Sequence, residues 1–157
     1  MKIVETTEYL SVLRELVEEG REVRLKIAGE SMVPFLREHR DEVFFRKPIE
    51  ELKKGDIVFY QRECGQFVMH RIQKVKPEGY FIIGDNQTVV EGPVAKEQVF
   101  GLVTRVIRDG KIMEPGDFWW DFFAHVWIRI IPLRRFVMRV YRCLVKIGKG
   151  LHVREEK

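Results

Sequence analysis

Between residues 22 and 108 the apolar side chains fall in short, regularly spaced runs broken by turn-forming pairs. That rhythm limits the fold more than any other feature of the chain. Val23, Leu25 and Ile27 alternate with Arg24, Lys26 and Ala28, the period of a half-buried strand. Further strands are predicted at 42–46, 56–61, 66–75, 79–84 and 99–108. Gly55-Asp56, Cys64-Gly65, Pro77-Glu78-Gly79, Gly84-Asp85-Asn86 and Asp109-Gly110 punctuate them. Regularly spaced strands with hairpin-type turns predict a mainly β domain, a coiled antiparallel sheet. Before it, residues 5–19 place Tyr9, Leu10, Leu13, Leu16 and Val17 on one helical face, and Gly20 ends the helix.

Charge divides the chain a second way. Residues 1–117 hold 19 Lys and Arg against 21 Asp and Glu, whereas residues 118–157 hold 9 against 3. Three regions follow: an N-terminal amphipathic helix packed on the body (1–21), a near-neutral β body (22–116) and a basic aromatic helical tail (117–157). A basic segment on a neutral body suits a polyanionic partner. In the tail, Trp119, Trp120 and Trp127 precede a helical run with Arg135, Arg139, Arg142, Lys146 and Lys149 on one face. Leu133, Val137, Val140, Leu144 and Ile147 line another face. This pattern predicts peripheral attachment of 117–150 to an anionic membrane, with the tryptophans entering the acyl boundary. The alternative is a helix packed over the body with its basic stripe solvated. Nucleic-acid binding is disfavoured, because no groove-reading motif or stacking platform accompanies the charge. No stretch free of acidic and basic residues is long enough to cross a bilayer. The acidic start, MKIVETTEYL, is unlike a secretory signal. Basic tails mark the cytoplasmic side of a membrane, which tilts the expected location that way. The two cysteines, Cys64 and Cys143, match no metal or redox spacing, so neither metal nor cofactor is expected.

Ser31 stands where a strand and a glycine run into the apolar segment Met-Val-Pro-Phe-Leu. Such a serine is either a helix N-cap or a hydroxyl projected into a cleft. His70 lies inside a strand on the face of Val68 and Ile72. It is either a hydrogen-bonded strand histidine or the base that accepts a serine proton near neutral pH. Asp85 is either a turn aspartate or a carboxylate that orients an imidazole, and Glu91, six residues on, offers a second carboxylate.

Taken in order, Gly29-x-Ser31-Met32-x-Pro34, Leu52-x-x-Gly55-Asp56-Ile57-Val58, His70-Arg71-Ile72, Gly84-Asp85-Asn86 and Gly101-x-Val103 resemble the signal peptidase I and self-cleaving repressor superfamily of serine peptidases. His70-Arg71-Ile72 is similar to its histidine branch, that of endoplasmic-reticulum-type and archaeal signal peptidases. The resemblance implies Ser31 as nucleophile, His70 as general base, and Asp85 or Glu91 as third member, with Met32 and Pro34 shaping the nucleophile turn and substrate groove. It also implies a peptide or precursor-protein substrate and no cofactor. Two departures stand out. Gly29 and Glu30 replace the Ser-Gly that many signal peptidases carry before the nucleophile, leaving oxyanion stabilisation to backbone N–H groups. An acidic helix stands where those enzymes have an N-terminal anchor. The first expectation is therefore a membrane-surface endopeptidase that processes signal or other leader peptides. The alternatives are a repressor-like self-processing protease and an inactive peptide-binding module.

Overall fold

The computed structural model describes residues 2–152, with side chains over 8–147. It is mainly β: eight strands form one antiparallel sheet, with a helix before it and helices after it. Helix α1 (Lys2–Glu18) precedes β1 (Val23–Lys26), β2 (Glu42–Arg46), β3 (Ile57–Gln61), β4 (Phe67–Lys76), β5 (Gly79–Ile83), β6 (Glu91–Val94), β7 (Val99–Arg108) and β8 (Lys111–Met113). The spatial order is β1-β2-β7-β3-β4-β5-β6, and β8 pairs with β7. The short apolar runs and turn signals of residues 22–108 thus predict the architecture, though they miss β6 and β8. In β6, Gly92-Pro93 reads as a breaker, yet proline is compatible with an edge strand because its missing N–H faces away from the sheet.

The sheet does not stay flat. Register shifts between Phe59 and Tyr60, between Ile72 and Lys74, and between Tyr80 and Ile82 each add local twist. The strands from β3 to β6 consequently curl around Val58, Tyr60, Ile72, Tyr80, Ile82 and Val94, which form one buried cluster. The opposite face carries a larger core. Leu13 and Val17 of α1 meet Val43, Phe45, Ile57, Phe59, Val103 and Val106 there. Gly101 marks how tightly it is packed, since a Cβ at that position would lie 2.7 Å from the Phe45 ring.

The tail departs from the expectation that all three tryptophans are available to a membrane surface. After α2 (Phe118–Asp121), tight helical turns carry the chain to α3 (Arg134–His152). Trp120, Phe123, Ala124, Trp127 and Met138 are buried in the larger core, so of the three tryptophans only Trp119 is exposed. Burying the two indoles against Phe35 and Phe123 removes more apolar surface from water than a solvated helix could. Helix α3 itself presents three faces. Arg134 and Met138 are buried and Tyr141 and Val145 half-buried against the body; Phe136, Val137, Val140, Leu144 and Ile147 are exposed; Arg135, Arg139, Arg142 and Lys146 are exposed on the remaining side. Lys149 lies outside the described side chains. Among the described residues, no helix is long and apolar enough to cross a membrane.

Candidate active site

Ser31 sits just after β1, in a turn that Gly29 enters with a backbone φ of 82°. His70 is in the middle of β4, opposite Val58 of β3. The two line the same open cleft of about 290 Å³, together with Ile27, Met32, Val68 and Gln87. Ser31 is half-buried and His70 buried, and no hydrogen bond joins Ser31 Oγ to the imidazole. Long serine–histidine separations are common in unliganded sites and tighten when substrate arrives. Burial pushes the His70 pKa down to about 4, opposed by the charge of Glu91. At neutral pH the ring is therefore neutral and able to accept a proton.

The two candidate orienting carboxylates have unlike fates. Asp85 is fully buried, and both its oxygens are taken by Arg71, with Nε at 3.0 Å and Nη2 at 2.9 Å. Arg71 also donates to the Gly55 carbonyl at 2.9 Å. Asp85 thus pins the Gly-Asp-Asn turn to β4 and does not hydrogen-bond His70, which corrects its expected role as orienter. The physical reason is charge: a buried guanidinium needs a carboxylate more than a neutral imidazole does. Glu91 instead reaches towards His70 through Tyr60. The Tyr60 hydroxyl donates to Glu91 Oε2 at 2.8 Å and lies 3.5 Å from His70 Nδ1. Arg62 donates to both Glu91 oxygens, at 2.8 and 2.5 Å, and this pairing holds the carboxyl below its usual range despite partial burial.

Of the two residues expected to shape the groove, Met32 lines the cleft and is buried beneath it. Pro34 does not line it. The chain has by then turned into the core, with Leu36 N–H bonded to the Met32 carbonyl and the Pro34 carbonyl accepting from Arg108 Nη2 at 3.4 Å.

Residues beyond the four candidates also build the site. Asn86 N–H donates to the Ser31 carbonyl at 2.8 Å, tying the Gly-Asp-Asn turn to the nucleophile turn. The approach demands glycine at position 84, where a Cβ would lie 2.6 Å from the Ser31 carbonyl oxygen. From the tail, Trp127 Nε1 donates to the Asp85 carbonyl at 2.8 Å. Arg134, also buried, donates to the carbonyls of Gly84 at 2.9 Å and Gln87 at 3.0 Å. Arg71 stands inside a recognised motif, whereas Tyr60, Trp127 and Arg134 read from sequence as ordinary strand or tail residues.

Two of the five motifs therefore line one cleft with a serine and a neutral histidine, and a third, Gly84-Asp85-Asn86, is tied to the nucleophile turn through the Ser31 carbonyl. The Peptidase S24-like family model matches residues 1–107, a span that includes Ser31, His70, Asp85 and Glu91. The chain belongs to the Peptidase S24-like family, which joins serine peptidases with self-cleaving repressors. Comparison with curated proteins finds no match.

Proposed function

We propose that this protein is a serine endopeptidase of the histidine-base type, cleaving an extended leader or precursor peptide at an anionic membrane surface. The observation that carries the proposal is the shared cleft of Ser31 and a buried, neutral His70. Ser31 Oγ attacks the scissile carbonyl, and His70 takes its proton and returns it to the leaving amine. The cleft continues into an apolar pocket of about 480 Å³ between α1 and the sheet, bounded by Leu10, Leu25, Phe59, Phe67 and Met69. That pocket suits the apolar side chains of a peptide lying along β4. The membrane component rests on α3, whose exposed apolar face adjoins an exposed basic face.

A second reading, self-processing, is supported by the family match and by the Gly-x-Ser-Met form of the nucleophile turn. One experiment addresses both. The purified protein is incubated with a library of unstructured peptides, and new termini are read by mass spectrometry. Wild type is expected to cut the library, and Ser31→Ala to cut nothing while melting at the same temperature. Undiminished cleavage by Ser31→Ala overturns the assignment. Cleavage confined to the chain itself, at a rate independent of protein concentration, selects self-processing.

The pH profile adds a quantitative check. A histidine whose pKa is lowered in the folded state stays active as base until pH falls to about 4, so kcat/KM should be flat between about pH 5 and 7. An acid limb near the ordinary histidine value of about 6.5 contradicts the buried-base assignment. The same shift makes stability fall as pH drops from about 6.5 towards 4, because the unfolded chain binds a proton that the folded site resists.

A further inference from the structure

A base buried well enough to be neutral has a difficulty when it works. The imidazolium formed during attack appears where burial disfavours charge, and the ring must present its bare nitrogen to the serine. In a Ser-His-Asp arrangement a carboxylate on Nδ1 meets both needs. Among the described residues, no carboxylate hydrogen-bonds Nδ1 here. Asp85 is engaged by Arg71, and the group at Nδ1 is the Tyr60 hydroxyl.

The direction of the hydrogen bonds follows from counting protons. Glu91, held ionised by Arg62, only accepts, so the single hydroxyl proton of Tyr60 points to Glu91 Oε2. The remaining lone pair of Tyr60 can only accept, so His70 Nδ1 must carry the proton and the other ring nitrogen, Nε2, must be bare. We propose that Tyr60 is the residue that positions His70 in its working tautomer, with Glu91 fixing the direction of the Tyr60 hydroxyl. This deepens the peptidase proposal and rests on His70 being its base. In the attack step the Ser31 proton moves to Nε2, Nδ1 keeps its own, and Tyr60 keeps the proton shared with Glu91. No proton travels along the chain of groups. The positive charge on the ring is met by the Tyr60 oxygen, whose dipole Glu91 aligns. Three charged groups act on His70: Glu91 and, more weakly, Asp85 favour the imidazolium, and Arg62 opposes it. Tyr60 is well placed for a fixed dipole, being fully buried, with its own ionisation pushed upward by burial and by Glu91.

The test combines a readout of the tautomer with a mutant cycle. In wild type labelled with 15N-histidine, the His70 Nδ1 resonance should have the shift of a protonated nitrogen at pH 7 and Nε2 that of a bare one. Finding the opposite tautomer overturns the proposal, and this holds even if the variants fold poorly. With a peptide cut in the library experiment, Tyr60→Phe should lower kcat about 100-fold with KM little changed. Glu91→Gln should lower it less and move the acid limb below that of wild type, since the carboxylate favours the imidazolium. The double variant should be no slower than Tyr60→Phe alone. If Glu91→Gln costs as much in the Tyr60→Phe background as in wild type, Glu91 acts independently and the proposal fails. Should Ser31→Ala prove active, the peptidase assignment falls, while the tautomer measurement still decides the role of Tyr60.

Discussion

The two halves of the C-terminal region are alike in apolar content and differ in fate. Residues 117–133 and residues 134–147 are both rich in large apolar side chains, and both looked like surface for a membrane. In the first half, Trp120, Phe123, Ala124, Trp127 and Ile128 are buried, and Trp127 holds the turn that holds Ser31. In the second half, only Arg134 and Met138 are buried, and five large apolar side chains from Phe136 to Ile147 face water. An apolar residue is committed to the core when a complementary face waits for it. The larger core offers such a face to the first half, as where the Phe35 ring packs edge-on to Trp120 at 5.8 Å. Beyond Tyr141 the body offers little more than the contact of Val145, so the outer faces of α3 remain free.

Truncation breaks this comparison most severely if it is wrong. Ending the chain after Asp117 removes the large buried side chains of Trp120, Phe123, Trp127, Ile128 and Met138, each worth roughly 2–5 kcal/mol, and the remainder should aggregate or lose cooperative unfolding. Ending it after Arg142 should leave a cooperative fold with only a small drop in melting temperature. A well-folded 1–117 fragment would show that the first half is as dispensable as the second.

An intermediate effect is expected at the junction of the two halves. Arg134→Met keeps the aliphatic stem but takes the guanidinium donor from the Gln87 carbonyl and one of two donors from the Gly84 carbonyl, at a cost of about 1–3 kcal/mol. Amide exchange at Asn86, which donates to the Ser31 carbonyl, should accelerate, and peptide cleavage should fall with it. Denaturant titration and exchange on the same protein measure both. Loss of stability with unchanged exchange at Asn86 would separate Arg134 from the site.

The smallest effect on folding belongs to the basic face. Replacing Arg135, Arg139, Arg142 and Lys146 by Gln should change stability by less than about 0.5 kcal/mol, because all four are exposed. It should nevertheless abolish sedimentation with phosphatidylserine-containing vesicles. Each near-surface cation contributes about 1 kcal/mol at an anionic bilayer, and wild-type binding should weaken in high salt. Equal binding of wild type to neutral and anionic vesicles would remove the electrostatic part of the membrane proposal.

What was legible in sequence was whatever depends on neighbours along the chain. Alternation in the first strand and short apolar runs between turn signals located the main strands, and the two-residue period of a strand placed His70 on the face of Val68 and Ile72. Gly29 and Gly84 marked turns that no other residue fits easily. The order of the motifs brought out Ser31 and His70 as candidates, and both line one cleft. The choice between Asp85 and Glu91 was not legible. Asp85 lies inside a motif, yet β5 ends where its carboxylate meets Arg71. Glu91 lies on an edge strand obscured by Pro93, and it reaches Tyr60 only because the bulged sheet curls β6 back towards β3. Nor was the partition of the tail legible, since apolar residues at helical spacing look alike whether they face a core or water. Periodicity assigns a side chain to a face of its own element, and the alternating backbone suffices for that. What the face meets depends on how the whole sheet coils and which surface is left uncovered, and that is decided only by long-range packing in three dimensions.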